Sequence, residues 1–298
     1  MRDTYFMLGC LLLIGALWGA TQPLTKIAVS GEYRQFGLIF WQSAISAVIL
    51  AVLCTLRRTR LPLGRGPVLV YVIIALVGTV LSNGASYQAM VHLPAGIVSI
   101  TLSLIPMLAF PMALALGNES FRWRRLAGLT LGLIAMLLIA IPDASLPERA
   151  MLAFLPLALI APLFYAFEGN YVARWGTAGL DPFQVMLGAS MVGALICLPL
   201  ALAGGQFIEP RGPWGAPDWA ILVSSVIHAG TYTGYVWLVG LAGAVFAVQV
   251  SYPVTAFGLL WSMLILGERY SLWVWAAFVI MIVGLTLVQP RPKMASAS

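Results

Sequence analysis

Apolar runs of roughly 20 residues recur ten times along this chain of 298 residues. A helix needs about 20 predominantly apolar residues to cross the hydrocarbon core of a bilayer. The runs lie near 5–29, 36–56, 67–91, 95–116 and 124–141, then near 151–174, 182–203, 218–240, 244–266 and 271–289. The segments between them are too short for a separate soluble domain. Only 9% of residues are charged, against about 25% in an ordinary soluble domain. So few charges cannot cover a water-exposed surface, which argues against a soluble enzyme, a nucleic-acid-binding domain and a disordered chain. The expected fold class is all-α: a polytopic membrane protein with ten transmembrane helices. The first run is too long for a signal-peptide core and lacks a small-residue cleavage site, so it is expected to stay as the first membrane helix.

The basic residues are unevenly placed. With ten helices, one side of the membrane holds both termini and the loops after helices 2, 4, 6 and 8. That side collects Arg2, Arg57, Arg58, Arg60, Arg65, Arg122, Arg124, Arg125, Arg174, Arg291 and Lys293, whereas the other has Lys26, Arg34, Arg149, Arg211 and Arg269. Lys and Arg gather in short cytoplasmic loops, so both termini are expected to be cytoplasmic. The formal charge of +6 therefore orients the chain rather than recruiting an acidic partner. Cys10, Cys54 and Cys197 fall inside apolar runs, away from histidines, and indicate neither a disulfide framework nor a zinc site.

The two halves are alike. Residues 95–110 read AGIVSITLSLIPMLAF and residues 242–257 read AGAVFAVQVSYPVTAF. Without gaps they agree at Ala95/Ala242, Gly96/Gly243, Val98/Val245, Pro106/Pro253, Ala109/Ala256 and Phe110/Phe257, at an offset of 147 residues. That offset is almost half the chain, the mark of an internal duplication. Five helices per copy is an odd number, so the second copy enters the membrane from the opposite side. The expectation is two inverted five-helix repeats, 1–146 and 147–298. Inverted repeats are a construction principle of secondary transporters, whose substrate sites lie at the repeat interface near the midplane.

These blocks carry a family resemblance. WGATQPLTK (Trp18–Lys26), the AG…P…F blocks of helices 4 and 9, and the turns Gly117-Asn118-Glu119 and Gly267-Glu268-Arg269 resemble the EamA-type branch of the drug/metabolite transporter (DMT) superfamily. The resemblance covers the whole chain through the order and duplication of short motifs. The partner of the helix 1 motif in the second half, Phe164–Arg174, is degraded. Ten helices and this length are similar to the bacterial amino-acid exporters of that branch, the YddG-type aromatic amino-acid exporters among them. The resemblance implies export of a small metabolite across the inner membrane by alternating access.

Polar and aromatic groups within the spans are the candidate site, because placing them in hydrocarbon is costly. Asn83 and Tyr87 are four residues apart in helix 3, beside Ser86 and Gln88. His228, Tyr232 and Tyr235 share one face of helix 8. Since helices 3 and 8 hold matching places in the repeats, these faces are expected to oppose one another across a cavity; the competing reading is that they only bond neighbouring backbone. Glu168 is the one acidic residue well inside a span, with Tyr165, Asn170 and Tyr171 as expected hydrogen-bond partners. A buried carboxylate there can bind a substrate ammonium group or exchange a proton; a snorkelling glutamate is the alternative. His92, at the end of helix 3, reads as interfacial. Trp18 and Gln22 complete the substrate-binding candidates. Pro23, Pro106 and Pro253 read either as hinges for gating or as static kinks, as do Pro156 and Pro162. Gly128-x-x-x-Gly132 reads as a packing seam.

No P-loop, HExxH or nucleophile–base pair is present in the sequence. No catalytic residue, metal site or cofactor is expected. Apart from Lys26, near the outer end of helix 1, and Arg124, Arg125 and Arg174 at the very ends of their runs, no Lys or Arg is placed within a span, which disfavours phosphorylated solutes. The expected function is a secondary transporter exporting amino acids, aromatic ones among them, or related neutral or zwitterionic metabolites. Its expected partners are that small molecule and the lipid bilayer, with proton coupling through Glu168 as an option and no nucleic acid. The alternatives are a multidrug or cationic-solute exporter, an intramembrane lipid-modifying enzyme, and a receptor-like protein without transport.

Overall fold

A computed structural model describes residues 2–31, 33–117, 120–140, 146, 148–242 and 250–288. Among these residues the secondary structure is entirely helical. Helix 1 is α1 (Arg2–Ser30) and helix 2 is α2 (Gln35–Leu56). Helix 3 is composite: α3 (Arg65–Ile73), a π-helical segment (Ile74–Leu81) and α4 (Ser82–His92). Helix 4 is broken into α5 (Ala95–Leu102) and α6 (Ile105–Ala115), and helix 5 is α7 (Trp123–Ala140). The second half continues with a 3-10 turn (Arg149–Phe154) leading into α8 (Leu155–Trp175) as helix 6, and α9 (Pro182–Ala203) as helix 7. Helices 8, 9 and 10 are α10 (Ala216–Ala242), α11 (Ser251–Leu266) and α12 (Leu272–Val288). Helices 1–7 are each long and apolar enough to cross a membrane, and helices 9 and 10 are shorter apolar helices. Helix 8 is 27 residues long, its apolar run interrupted by the polar stretch from His228 to Tyr235.

Local chemistry sets these boundaries. Helix 7 begins at a capping box in which Asp181 accepts the Phe183 and Gln184 amides at 2.7 and 3.2 Å, and Gln184 Oε1 accepts the Asp181 amide at 3.0 Å. Pro106 falls in the first turn of α6, three residues after the break at Ser103, and Pro253 lies in the first turn of α11. The sequence reading had both in mid-helix. First-turn amides have no intrahelical acceptor, so proline costs nothing there. Pro23 and Pro162 do lie inside continuous helices. Residues 243–249, including Gly243, Val245 and the expected start of helix 9, lie outside the described residues, as do Asn118, Glu119, Arg291 and Lys293.

The packing follows the duplication. Helix 5 packs on helix 10, and helix 2 on helix 7. Helix 1 packs on helices 8 and 9, as helix 6 packs on helices 3 and 4; helix 2 meets helix 8, as helix 7 meets helix 3. Each contact maps onto itself or onto another when the two halves are exchanged, the signature of two repeats related by a pseudo-two-fold; five helices per copy makes the second inverted. Glycines make the close approaches. A Cβ on Gly15 would overlap Pro253, and one on Gly19 would meet the backbone of Val254 and Gly258, so α1 and α11 touch backbone to backbone. Gly132 faces Met107, and a Cβ on Gly284 of α12 would strike the Gly128 carbonyl, which makes the Gly128/Gly132 pair the expected seam. Outward-facing Leu12, Val52, Leu195 and Leu264 are exposed, as a lipid-facing surface requires. The result is a multi-pass membrane-embedded bundle.

Candidate functional site

Two side-chain clusters form where the first helix of each repeat crosses the third helix of the other. In the first, Trp18 of α1 meets His228, Tyr232 and Tyr235 of α10 edge-on, with ring centroids 5.8, 6.4 and 6.1 Å apart. Spacing by three and four along α10 puts these rings on one helical face, and Trp18 closes it. In the second, Tyr165 of α8 donates to Asn83 Oδ1 at 2.7 Å, while Asn83 Nδ2 donates to Gln42 Oε1 at 3.3 Å. Tyr87 also donates its hydroxyl to Gln42 Oε1. Trp18 and Tyr165 are 147 residues apart, the offset of the duplication. Each tyrosine-bearing face, of helix 3 and of helix 8, thus also meets the first helix of the other repeat, a contact the sequence did not predict. Helices 1 and 6 are the intervening partners because each packs between two helices of the opposite half.

Glu168 lies between these clusters, within electrostatic reach of Tyr165 and Tyr232. Its carboxylate packs against Gly78, in the π-helical segment of helix 3, where a Cβ would overlap all three carboxylate atoms. A π turn inserts one extra residue per turn and recurs at functional sites; here Ser82 Oγ bonds the Val77 carbonyl inside the distortion. The hydrogen-bond partners expected for Glu168 are engaged elsewhere. Tyr165 bonds Asn83, Asn170 donates to the Ala109 and Ala166 carbonyls at 3.0 and 2.9 Å, and Tyr171 packs its ring against Trp175. Among the described residues Glu168 makes no hydrogen bond or ion pair. A carboxylate within a span and without a partner is costly, so its complement must come from a ligand, water or a proton.

The other candidates are dispersed. Gln22 lies at the crossing of α1, α5 and α11, near Ser99 and Gly258, and its Oε1 is buried with no partner among the described residues. Pro253 packs on Gly15. His92 is exposed and stacks on Phe154 at 3.7 Å, as an interfacial residue would. Tyr87 is buried and borders two hollows. One, bounded by Gln42, Ser224 and Ser225, is about 10 Å³, room for about one water. The other is a cavity of about 610 Å³ at the end of the bundle carrying Tyr33, Arg34 and Gly204–Gln206. Among the described residues no group of three His, Cys, Asp or Glu side chains is placed to hold a metal ion.

Three contributions went unread in the sequence. Gln42 joins Asn83 to Tyr87, and its signal was an amide one turn and more inside a predominantly apolar helix 2. Lys26 donates to the Val91 and Leu93 carbonyls at 3.3 and 3.1 Å, and to that of Met90, so it caps the end of α4. Glu268 accepts the Ala95 and Gly96 amides at 2.8 and 3.2 Å, capping the start of α5, and also bonds the Tyr270 hydroxyl. Opposite charges thus meet the two helix ends that flank Pro94, each on the end its dipole favours. Burial first, then the Glu268 hydrogen bond, pushes the Tyr270 hydroxyl well above its ordinary range, keeping it a donor. Glu268→Ala should cost about 1–2 kcal/mol, the usual loss for removing a helix cap. A thermal melt in detergent checks this: the midpoint should fall by several degrees, and less for Glu268→Gln.

On the same side, Tyr33 donates to Asp218 at 2.7 Å, joining the first loop to the start of α10. Burial and then this carboxylate raise the Tyr33 hydroxyl to about 12, so it stays protonated at physiological pH. The Phe36 amide donates to Gln206 Oε1 at 3.1 Å and Trp41 Nε1 to the Ile208 carbonyl at 3.0 Å. The 610 Å³ cavity is therefore walled by tied segments.

No curated protein matches the sequence. A solved structure described only as the crystal structure of a protein is similar in fold: 18% identity, a TM-score of 0.63, and coverage of 93% of this chain and 96% of that one. The model of the EamA-like transporter family matches twice, over residues 6–141 and 153–289. With both halves matched, the chain belongs to the EamA-like transporter family.

Proposed function

We propose that this protein is a secondary transporter exporting amino acids, aromatic ones included as in YddG-type exporters, or related neutral and zwitterionic metabolites. Transport proceeds by alternating access between the repeats 1–146 and 147–298. The observation that carries the reading is Glu168: an unpartnered carboxylate between an aromatic wall (Trp18, His228, Tyr232, Tyr235) and an amide–hydroxyl wall (Gln42, Asn83, Tyr87, Tyr165). The carboxylate complements an ammonium group, the rings accept an apolar or aromatic side chain, and cation–π contact adds to the first. Gln22 supplies a further unpaired acceptor beside helix 9. Pro106 and Pro253, at the starts of α6 and α11, and Pro23 in α1 are where the repeats would pivot.

The same carboxylate also favours the second reading, a cationic-solute exporter. A counterflow screen of the twenty amino acids and several cationic drugs in proteoliposomes separates the two. Accumulation of amino acids but not drugs is expected, and accumulation of neither removes the transporter reading. The membrane is proposed to be the bacterial inner membrane, with both termini cytoplasmic. Cysteine-accessibility labelling in intact cells, after replacement of Cys10, Cys54 and Cys197, should find the Glu209–Asp218 segment accessible and the Arg57–Arg65 segment protected. The reverse pattern would invert the orientation.

A further inference from the structure

The 610 Å³ cavity has a chemistry opposite to that around Glu168. Its polar wall is made of Tyr33, Arg34, Gln35, Gln88, His92 and Gln206, and among the described residues no acidic side chain lines it. Arg34 is exposed and makes no hydrogen bond or ion pair among the described residues. Although it stands just before α2, its side chain caps nothing there. Two neighbours, by contrast, are spoken for: Tyr33 bonds Asp218, and Gln206 Oε1 holds the Phe36 amide. The cavity therefore presents one unengaged guanidinium, an imidazole and several amides in a concave space large enough for a small metabolite. Tyr87 borders it and also bonds Gln42, so the cavity adjoins the inner cluster through one side chain.

We infer that this cavity is a carboxylate-reading vestibule: Arg34, with His92 and the amides beside it, holds the carboxylate of a solute that has left, or has yet to reach, the inner site. The inference rests on the proposed transport of amino acids and names the group that the solute must carry. Guanidinium matches carboxylate in planar, bidentate geometry, which neither lysine nor an amide reproduces fully. The Arg34 charge also repels a solute that is only cationic, so the vestibule favours amino acids over cationic drugs although Glu168 alone would accept both. Glu168 and Arg34 then read the two ends of a zwitterion in succession, one deep in the bundle and one at its mouth.

The test measures occupancy of the vestibule without requiring transport. In a chain lacking its native cysteines, Val91→Cys places a thiol in the cavity wall, and a membrane-impermeant maleimide added to proteoliposomes reports its accessibility. Phenylalanine and N-acetylphenylalanine, which both carry a carboxylate, should slow labelling; phenylalaninamide, which does not, should leave it unchanged. Arg34→Ala should raise the concentration needed for half-protection by about threefold to tenfold, the range for a partly exposed charge-assisted pair. Arg34→Lys should recover part of that protection, and raising the salt concentration should weaken it. Equal protection by phenylalanine and its amide, or unchanged protection in Arg34→Ala, would overturn the proposal. Counterflow on the same vesicles distinguishes the two failures. Arg34-dependent protection without amino-acid counterflow sinks the transport reading alone, and counterflow with Arg34-independent protection sinks the vestibule alone.

Discussion

Glu168→Gln should abolish transport of ammonium-bearing solutes, lowering counterflow by about a hundredfold or more at matched expression. The argument is electrostatic. Removing one partner of a desolvated charge pair costs about 2–5 kcal/mol, and each 1.4 kcal/mol is a factor of ten. Glutamine keeps the shape of the side chain and loses only the charge, so the fold should survive; Glu168 makes no hydrogen bond among the described residues that the amide would break. Gly78→Ala supplies an independent check. The added methyl would occupy the place of the carboxylate, and the flexible glutamate would swing aside, displaced but still charged. A loss of about tenfold is expected, because misplacing a binding group weakens recognition without removing it. A glutamate that merely reaches for interfacial water would tolerate both substitutions. Unchanged counterflow in both variants would remove Glu168 from the mechanism.

The bundle was largely legible in the sequence because hydrocarbon imposes a length and a polarity on each span. Helix 7, expected at 182–203, is Pro182–Ala203, and helix 2, expected at 36–56, is Gln35–Leu56. The duplication was legible too, since a sixteen-residue block repeats at one offset. Illegible was anything decided by which helices touch. The spacing of His228, Tyr232 and Tyr235 gives their common face but not that Trp18 lies against it. Asn83 and Tyr87 are four apart, yet their link runs through Gln42 on another helix. Lys26 and Glu268 read as a lone cation and a turn motif; only the approach of helices 1, 3, 4 and 9 turns them into caps on α4 and α5. The π segment has no sequence signal beyond Gly78, and it places Glu168. A site built from the first and third helices of opposite repeats is written in tertiary packing, where periodicity carries no information.

That packing also divides the tyrosines that the sequence had grouped, and the division yields a second large effect. Trp18 contacts three rings of α10, so Trp18→Ala removes the wall that closes the aromatic face. The ratio of phenylalanine to alanine counterflow should then fall by about tenfold or more, since each aromatic contact contributes about 0.5–1.5 kcal/mol beyond its buried area. Tyr232→Ala and Tyr235→Ala each remove one ring of that face and should lower the ratio by a smaller factor. Tyr87 should behave differently. It is buried in the main apolar core and bonds Gln42, so alanine there leaves a cavity and removes one of the two donors to Gln42 Oε1. Large-to-small changes of this kind cost about 3–5 kcal/mol of stability, and the loss should reduce every substrate alike. The measurement is the counterflow ratio for each variant at matched expression, beside its thermal midpoint. If the ratio stays constant in Trp18→Ala, Tyr232→Ala and Tyr235→Ala while the midpoints fall, these rings serve packing alone, and the aromatic-substrate preference is wrong.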